Sequence, residues 1–129
     1  MLDTHAWVWW VTRPEKLSRR QRTAIERALR ASREPVLVSI ISCWEVALLA
    51  QRGRLRFSIA AEAWLERATK LPGLDIVPLS LGVVSSAVRL TQLRDPADQI
   101  VVATALERGA RLVTSDARIA NAEVVPVIA

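Results

Sequence analysis

Tyrosine is absent from this 129-residue chain, and cysteine, histidine, methionine and phenylalanine occur once each. The lone Cys43 excludes an intramolecular disulfide and any cysteine-built zinc site, and it fits a reducing cytoplasm, the expected location. His5 is the only histidine, no Ser–His–Asp arrangement that would suggest nucleophilic serine chemistry is found, and no glycine-rich loop is present to cradle a phosphate. No run reaches the ~18 consecutive apolar residues of a membrane span. The N-terminus lacks the basic segment and long apolar stretch of a signal peptide. No membrane association is expected. Lysine is scarce as well: Lys16 and Lys70 stand against 16 arginines, and the net charge is +5.

What is present is one domain, expected to span residues 1–129, with 51% hydrophobic residues and enough bulk for a real core. Short β-rich runs alternate with helical patterns. Strands are expected at 1–3, 36–39, 75–78, 111–114 and 124–128. Helices are expected from His5 to about Val11, from Ser18 to about Arg33, and from a Ser42 cap through Ala50 to a stop at Gly53. Further helices run from a Ser58 cap to about Lys70, from Ser80 to about Leu93, and from Asp95-Pro96 to Arg108 with Gly109 as the stop. A short turn of helix follows at Ala117–Ala120, and Ser18 with Gln21 has the spacing of a capping box. This alternation predicts an α/β fold with a mainly parallel sheet covered on both faces.

The acids are placed unevenly. Four of the five aspartates, Asp3, Asp95, Asp98 and Asp116, fall at strand ends or helix starts, and Glu45 follows the 36–39 strand. Singly, each has an ordinary reading. Glu45 could complete a capping box with Ser42, Asp95 is a suitable N-cap, Asp98 would favour the helix dipole, and Asp116 could open a turn. Jointly they point elsewhere. Residues at the carboxyl ends of parallel strands line one crevice, and several carboxylates there repel strongly without a counter-ion. Hard oxygen donors with few nitrogen or sulfur partners suit Mg²⁺ or Mn²⁺. A carboxylate-bound Mg²⁺ can activate one of its waters and steady a phosphoryl oxygen, so the chemistry implied is phosphodiester hydrolysis.

Four segments carry a resemblance. Leu2-Asp3-Thr4-His5-Ala6-Trp7 and Ser39-Ile40-Ile41-Ser42-Cys43-Trp44-Glu45-Val46-Ala47 resemble the first two motifs of the PIN-domain nucleases. Arg94-Asp95-Pro96-Ala97-Asp98-Gln99-Ile100 and Leu112-Val113-Thr114-Ser115-Asp116 resemble the third and fourth. The chain is most similar to the VapC toxins of toxin–antitoxin pairs, nearly end to end. The resemblance implies a three-layer α/β/α domain acting as a Mg²⁺-dependent endoribonuclease, with Asp3, Glu45, Asp98 and Asp116 as catalytic acids and metal ligands. It implies that Thr4 and Thr114 hydrogen-bond a carboxylate or a metal-bound water. Asp95 matches an extra acid of that branch, with a helix cap as its first role. RNA as substrate, a cognate antitoxin and a homodimer are the implied partners. The chain departs from the pattern in two places. Only Met1 and Leu2 precede Asp3, which leaves a central strand poorly filled, as a start codon assigned too far downstream would. Gln99 stands where arginine is common.

Arg19, Arg20, Arg22, Arg27, Arg30 and Arg33 fall on one side of their helix, opposite Leu17, Ala24, Ile25 and Ala28. A solvated face is the default reading of such a stripe, and Arg19, Arg22 and Arg30 are the candidates for an RNA track. Trp7 and Trp10, three apart, share a helix face; core packing or a partner surface is favoured over base stacking. His5 is expected to cap or pack the first helix. Two rivals accompany the nuclease reading. One is a catalytically silent PIN scaffold that binds RNA or protein. The other, an aspartyl phosphotransfer domain with Asp3 as nucleophile, lacks the second aspartate two residues on and the lysine near the last strand.

Overall fold

In the computed structural model, which describes residues 1–31 and 33–129, every strand pairing is parallel. β1 (Val36–Ser39) pairs with β2 (Leu74–Val77), and β3 (Leu112–Val113) pairs with β4 (Val127–Ile128). Leu2 joins the two pairs, bridging to Val38 on one side and to Val113 on the other. The order across the sheet is therefore β2, β1, Leu2, β3, β4. The strand expected over residues 1–3 is one bridging residue, held by three backbone hydrogen bonds. Leu2 N–H donates to Leu37 O at 2.9 Å, Asp3 N–H to Val113 O at 3.1 Å, and Val113 N–H to Met1 O at 2.8 Å. Chain order reverses about this central position, so the crevice at the carboxyl ends of the strands opens beside Asp3.

Side chains alternate across the strands and so sort the core into two layers. Leu2, Val36, Val38, Val113 and Ile128 pack with Trp7, Ile25 and Trp64 from α1 (Thr4–Thr12), α2 (Arg19–Ala31) and α4 (Ala61–Ala68). Leu112 faces the other way, against Val101, Val102 and Ala105 of α6 (Pro96–Glu107) and Ile119 of α7 (Ala117–Ala122). The α/β/α architecture is the expected one. α6 buries every residue from Val101 to Ala105, as an all-round apolar helix must.

Helix ends depart from the sequence reading in instructive ways. The Ser18–Gln21 capping box forms, with reciprocal bonds of 3.1 and 3.0 Å. The helix expected to reach Arg33 is described to Ala31, and Ser32 lies outside the described residues. α3 (Ile40–Gln51) is capped by Ser39, not Ser42, because β1 runs into the helix without a loop and the Ser39 hydroxyl meets Ile41 N–H at 3.2 Å. α4 starts at Ala61 and takes no side-chain cap, so Ser58 lies before it. α5 (Leu81–Ala87) is capped by Ser80 but stops well short of Leu93. The Gln99 amide captures the carbonyls of Leu90 and Leu93 at 3.1 and 2.7 Å, which fixes a tight turn in place of further helix. Pro126 and the left-handed Glu123 (φ 54°) delay β4 to Val127.

The aromatic cluster gives a stability prediction. Trp64 is buried, stacked on Phe57 at 4.5 Å between ring centroids and tilted against Trp7 at 5.1 Å. Trp64→Ala should lose about 3–5 kcal/mol in urea unfolding. Trp44→Ala, at a position 57% exposed, should stay within about 0.5 kcal/mol of the parent. Equal losses at the two positions would contradict this partition of the core.

Candidate active site

Three helix starts and one helix interior supply the acids. Asp3 is the N-cap of α1, accepting from Ala6 N–H at 2.7 Å through Oδ1, while Oδ2 accepts the Thr114 hydroxyl. Asp95 caps α6, accepting from Ala97 and Asp98 N–H at 2.8 and 3.2 Å, and Asp98 lies in that first turn. Asp116 caps α7. Glu45 projects from the middle of α3 and accepts the Thr4 hydroxyl at 2.6 Å through Oε1. It is not part of a capping box. Ser42 is fully buried, its hydroxyl 2.9 Å from Thr4 Oγ1.

These residues meet in one cleft of about 570 Å³. Asp3, Thr4, Glu45, Asp95, Asp98 and Asp116 line it, and Thr114 lies buried beneath Asp3. Arg19, Arg22 and Arg30 do not line it. Arg19 and Arg22 flank Gln21 near the start of α2, and Arg30 lies about two turns further along. The hollow at the amino ends of the strands, lined by Leu2, Ala28, Val36 and Val113, brings none of these acids together.

The cleft is electrostatically unbalanced. Burial pushes the Asp3 carboxyl above its usual range, against the pull of the Thr114 and Ala6 hydrogen bonds. Glu45 is likewise raised by burial, with its Thr4 bond opposing. Asp98 is pushed up to about 7, first by burial and then by the negative charges of Asp95, Asp116 and Glu45. Asp116 alone is held low, by the guanidinium of Arg118. This donor set fits a hard divalent cation, which would supply the missing positive charge and favour the ionised acids. Among the described residues, however, no three His, Cys, Asp or Glu side chains are placed to share one ion as they stand. Three of the acids have another partner: Thr114 for Asp3, Thr4 for Glu45, Arg118 for Asp116.

Comparisons with known proteins bear on the family and the fold. The PIN domain model matches residues 1–125. The chain belongs to the PIN-domain family. A relative in its VapC branch, Ribonuclease VapC22 of Mycobacterium tuberculosis (strain ATCC 25618 / H37Rv), is 36% identical over 121 residues, covering 92% of this chain and 88% of that protein. The PIN fold recurs in the solved complex of VapBC2 from Rickettsia felis bound to a promoter DNA fragment. There the TM-score is 0.71 and the identity 13%, over 98% of this chain and 97% of that one. FitAcB from Neisseria gonorrhoeae gives a TM-score of 0.69 and 21% identity, over 99% and 95%.

Several residues that line this PIN cleft or support it from behind were not tied to it from the sequence. Gln21 is the chief one. Beyond its capping bond, its buried amide donates to Thr114 O, Ser115 Oγ and Ile128 O at 3.1, 3.1 and 3.2 Å, tying α2 to the strand ends that carry Asp116. The capping-box spacing shows the reciprocal pair with Ser18 and hides the three contacts of Nε2. Arg54, His5, Trp9 and Arg118 also line the cleft, and His5 sits edge-on to Trp9 at 5.9 Å. Gln99, where arginine is common, turns to the α5–α6 loop.

The raised Asp98 carboxyl sets a pH dependence for metal-free protein. Its folded value lies above the unfolded one, near 3.9, so its contribution is fully favourable below about pH 4 and is lost as pH rises through about 7. The thermal midpoint should therefore fall between about pH 5 and pH 8 in chelator, and Asp98→Asn should flatten that fall. An unchanged slope in the variant would place the titration elsewhere.

Proposed function

We propose that this chain is the toxin of a toxin–antitoxin pair, an endoribonuclease that hydrolyses RNA phosphodiester bonds with Mg²⁺ or Mn²⁺. The observation that carries the reading is the convergence of Asp3, Glu45, Asp98 and Asp116 in one cleft at the carboxyl ends of parallel strands. A bound divalent cation supplies an activated water and charge neutralisation at the scissile phosphate. Asp3, Asp98 and Asp116 would hold it, with Glu45 completing the set. Thr114 and the Ala6 N–H fix the Asp3 carboxylate, so that ligand is oriented before any ion arrives. Thr4 fixes Glu45 through Oε1 and leaves Oε2 as the atom that can take a proton from the attacking water. Asp95 stays with its helix. The basic surface, with Arg19, Arg22 and Arg30 of α2, draws the RNA strand toward the domain.

Two apolar surfaces suit the partners. A groove between α3 and α4, lined by Trp44, Leu48, Leu55, Phe57 and Leu65, adjoins Leu49 and Arg54 at the rim of the acidic cleft. An antitoxin segment seated there would continue across the cleft and block it. Elsewhere, Leu81 and Val84 of α5 and its C-cap Val88 are exposed, as are Leu79 and Leu106, and together form an apolar stripe. Glu107 stands 3.5 Å from Ser80 at the amino end of that stripe, and Arg89 follows its carboxyl end. An acid at one end and a base at the other make the stripe self-complementary about a two-fold axis, which suits a second copy of the chain. No helix of the described residues is long and apolar enough to cross a membrane.

The test is cleavage of single-stranded RNA by folded protein with Mn²⁺ or Mg²⁺ and with chelator. Activity should require the ion, and Asp3→Asn or Asp116→Asn should each reduce it by more than about 10²-fold with circular dichroism unchanged. Folded, metal-supplied protein that binds RNA without cutting it would instead establish the silent-scaffold reading.

A further inference from the structure

Arg118 is the cation that already sits among these acids. Its Nε and Nη2 donate to Asp116 Oδ1 and Oδ2 at 3.1 and 2.8 Å, and its backbone N–H adds a third bond to Oδ1 at 2.8 Å. Both oxygens of a candidate ligand are thereby taken by a two-pronged guanidinium grip. Among the described residues, no three acids are placed to share an ion while that grip holds, and its release would free both Asp116 oxygens toward Asp3 and Asp98. The grip is easily given up, because the Arg118 side chain is 77% exposed and exposed ion pairs are weak. Nor does α7 depend on it, since the helix cap uses the Arg118 backbone N–H and not the guanidinium.

Resting on the metal-dependent reading above, we propose that Arg118 is a displaceable counter-ion that grips Asp116 in the metal-free protein and competes with the divalent cation for its carboxylate. Metal entry and release of Arg118 are then one exchange, and Arg118 sets the ion concentration at which the site assembles. Arg118 is a positioning residue, acting through Asp116.

The experiment is Mn²⁺ binding without RNA, followed by the electron paramagnetic resonance of free Mn²⁺, on the parent chain and on Asp3→Asn, Arg118→Ala, Arg118→Lys and Arg54→Ala. Arg118→Ala should bind Mn²⁺ about two- to fivefold more tightly than the parent. Arg118→Lys should shift the same way, because a point charge cannot hold both oxygens as the fork does. Arg54→Ala removes a cation lining the same cleft and should shift affinity less than Arg118→Ala. Unchanged or weaker binding in Arg118→Ala overturns the proposal. So does an Arg118→Lys protein that matches the parent, or an Arg54→Ala protein that matches Arg118→Ala. A parent chain that binds Mn²⁺ no better than Asp3→Asn overturns the metal site itself, so the two failures are distinguishable.

Discussion

The structure turns on a carboxylate held almost out of water at the centre of a parallel sheet. Asp3 is 8% exposed, one residue past the bridge that joins the two halves of the sheet. Its backbone N–H completes the ladder to β3, and its side chain is fixed by the first turn of α1 and by Thr114. Burying a charge costs several kcal/mol unless it is well hydrogen-bonded, of order 1–3 kcal/mol of which two or three good bonds return. Here burial outweighs the bonds, and the carboxyl stays raised. On the proposed function, a bound cation would offset that burial.

The remaining acids follow from the same geometry. Asp3, Asp95 and Asp116 all cap helices whose amino ends face the cleft. Each helix brings free N–H groups and the positive end of its dipole, which favour negative charge nearby. Under the proposed function, capping and metal holding are thus compatible at Asp3 and Asp116. The device that starts a helix also aims a carboxylate. Glu45 and Asp98 differ in that neither caps its helix, and both are raised by burial in the cleft.

That double use explains what the sequence does and does not show. Asp95-Pro96 and Ser18–Gln21 are local signals, and both form where the spacing places them. Ser42 misleads because Ser39, three residues earlier, offers the same chemistry at the point where β1 passes into α3, which leaves Ser42 inside the helix with its hydroxyl against Thr4. The short first strand is legible as a short apolar run, but its central place depends on pairings 36 and 111 residues away. Arg118 and Gln21 escape notice for a related reason. One is an ordinary arginine until Asp116 is seen to face it, and the other is a helix-cap glutamine until β3 and β4 arrive beneath it. Of the three α2 arginines offered as an RNA track, none lines the cleft, because the helix pitch collects them on the face opposite the buried Gln21 and Ile25.

The most direct measurement is the anomalous diffraction of crystals soaked in Mn²⁺. A single strong peak within coordination distance of Asp3, Asp98 and Asp116 is the predicted result, with the Arg118 guanidinium moved off Asp116. A well-ordered structure at high Mn²⁺ with no peak between these carboxylates, and with Arg118 still gripping Asp116, would contradict the account.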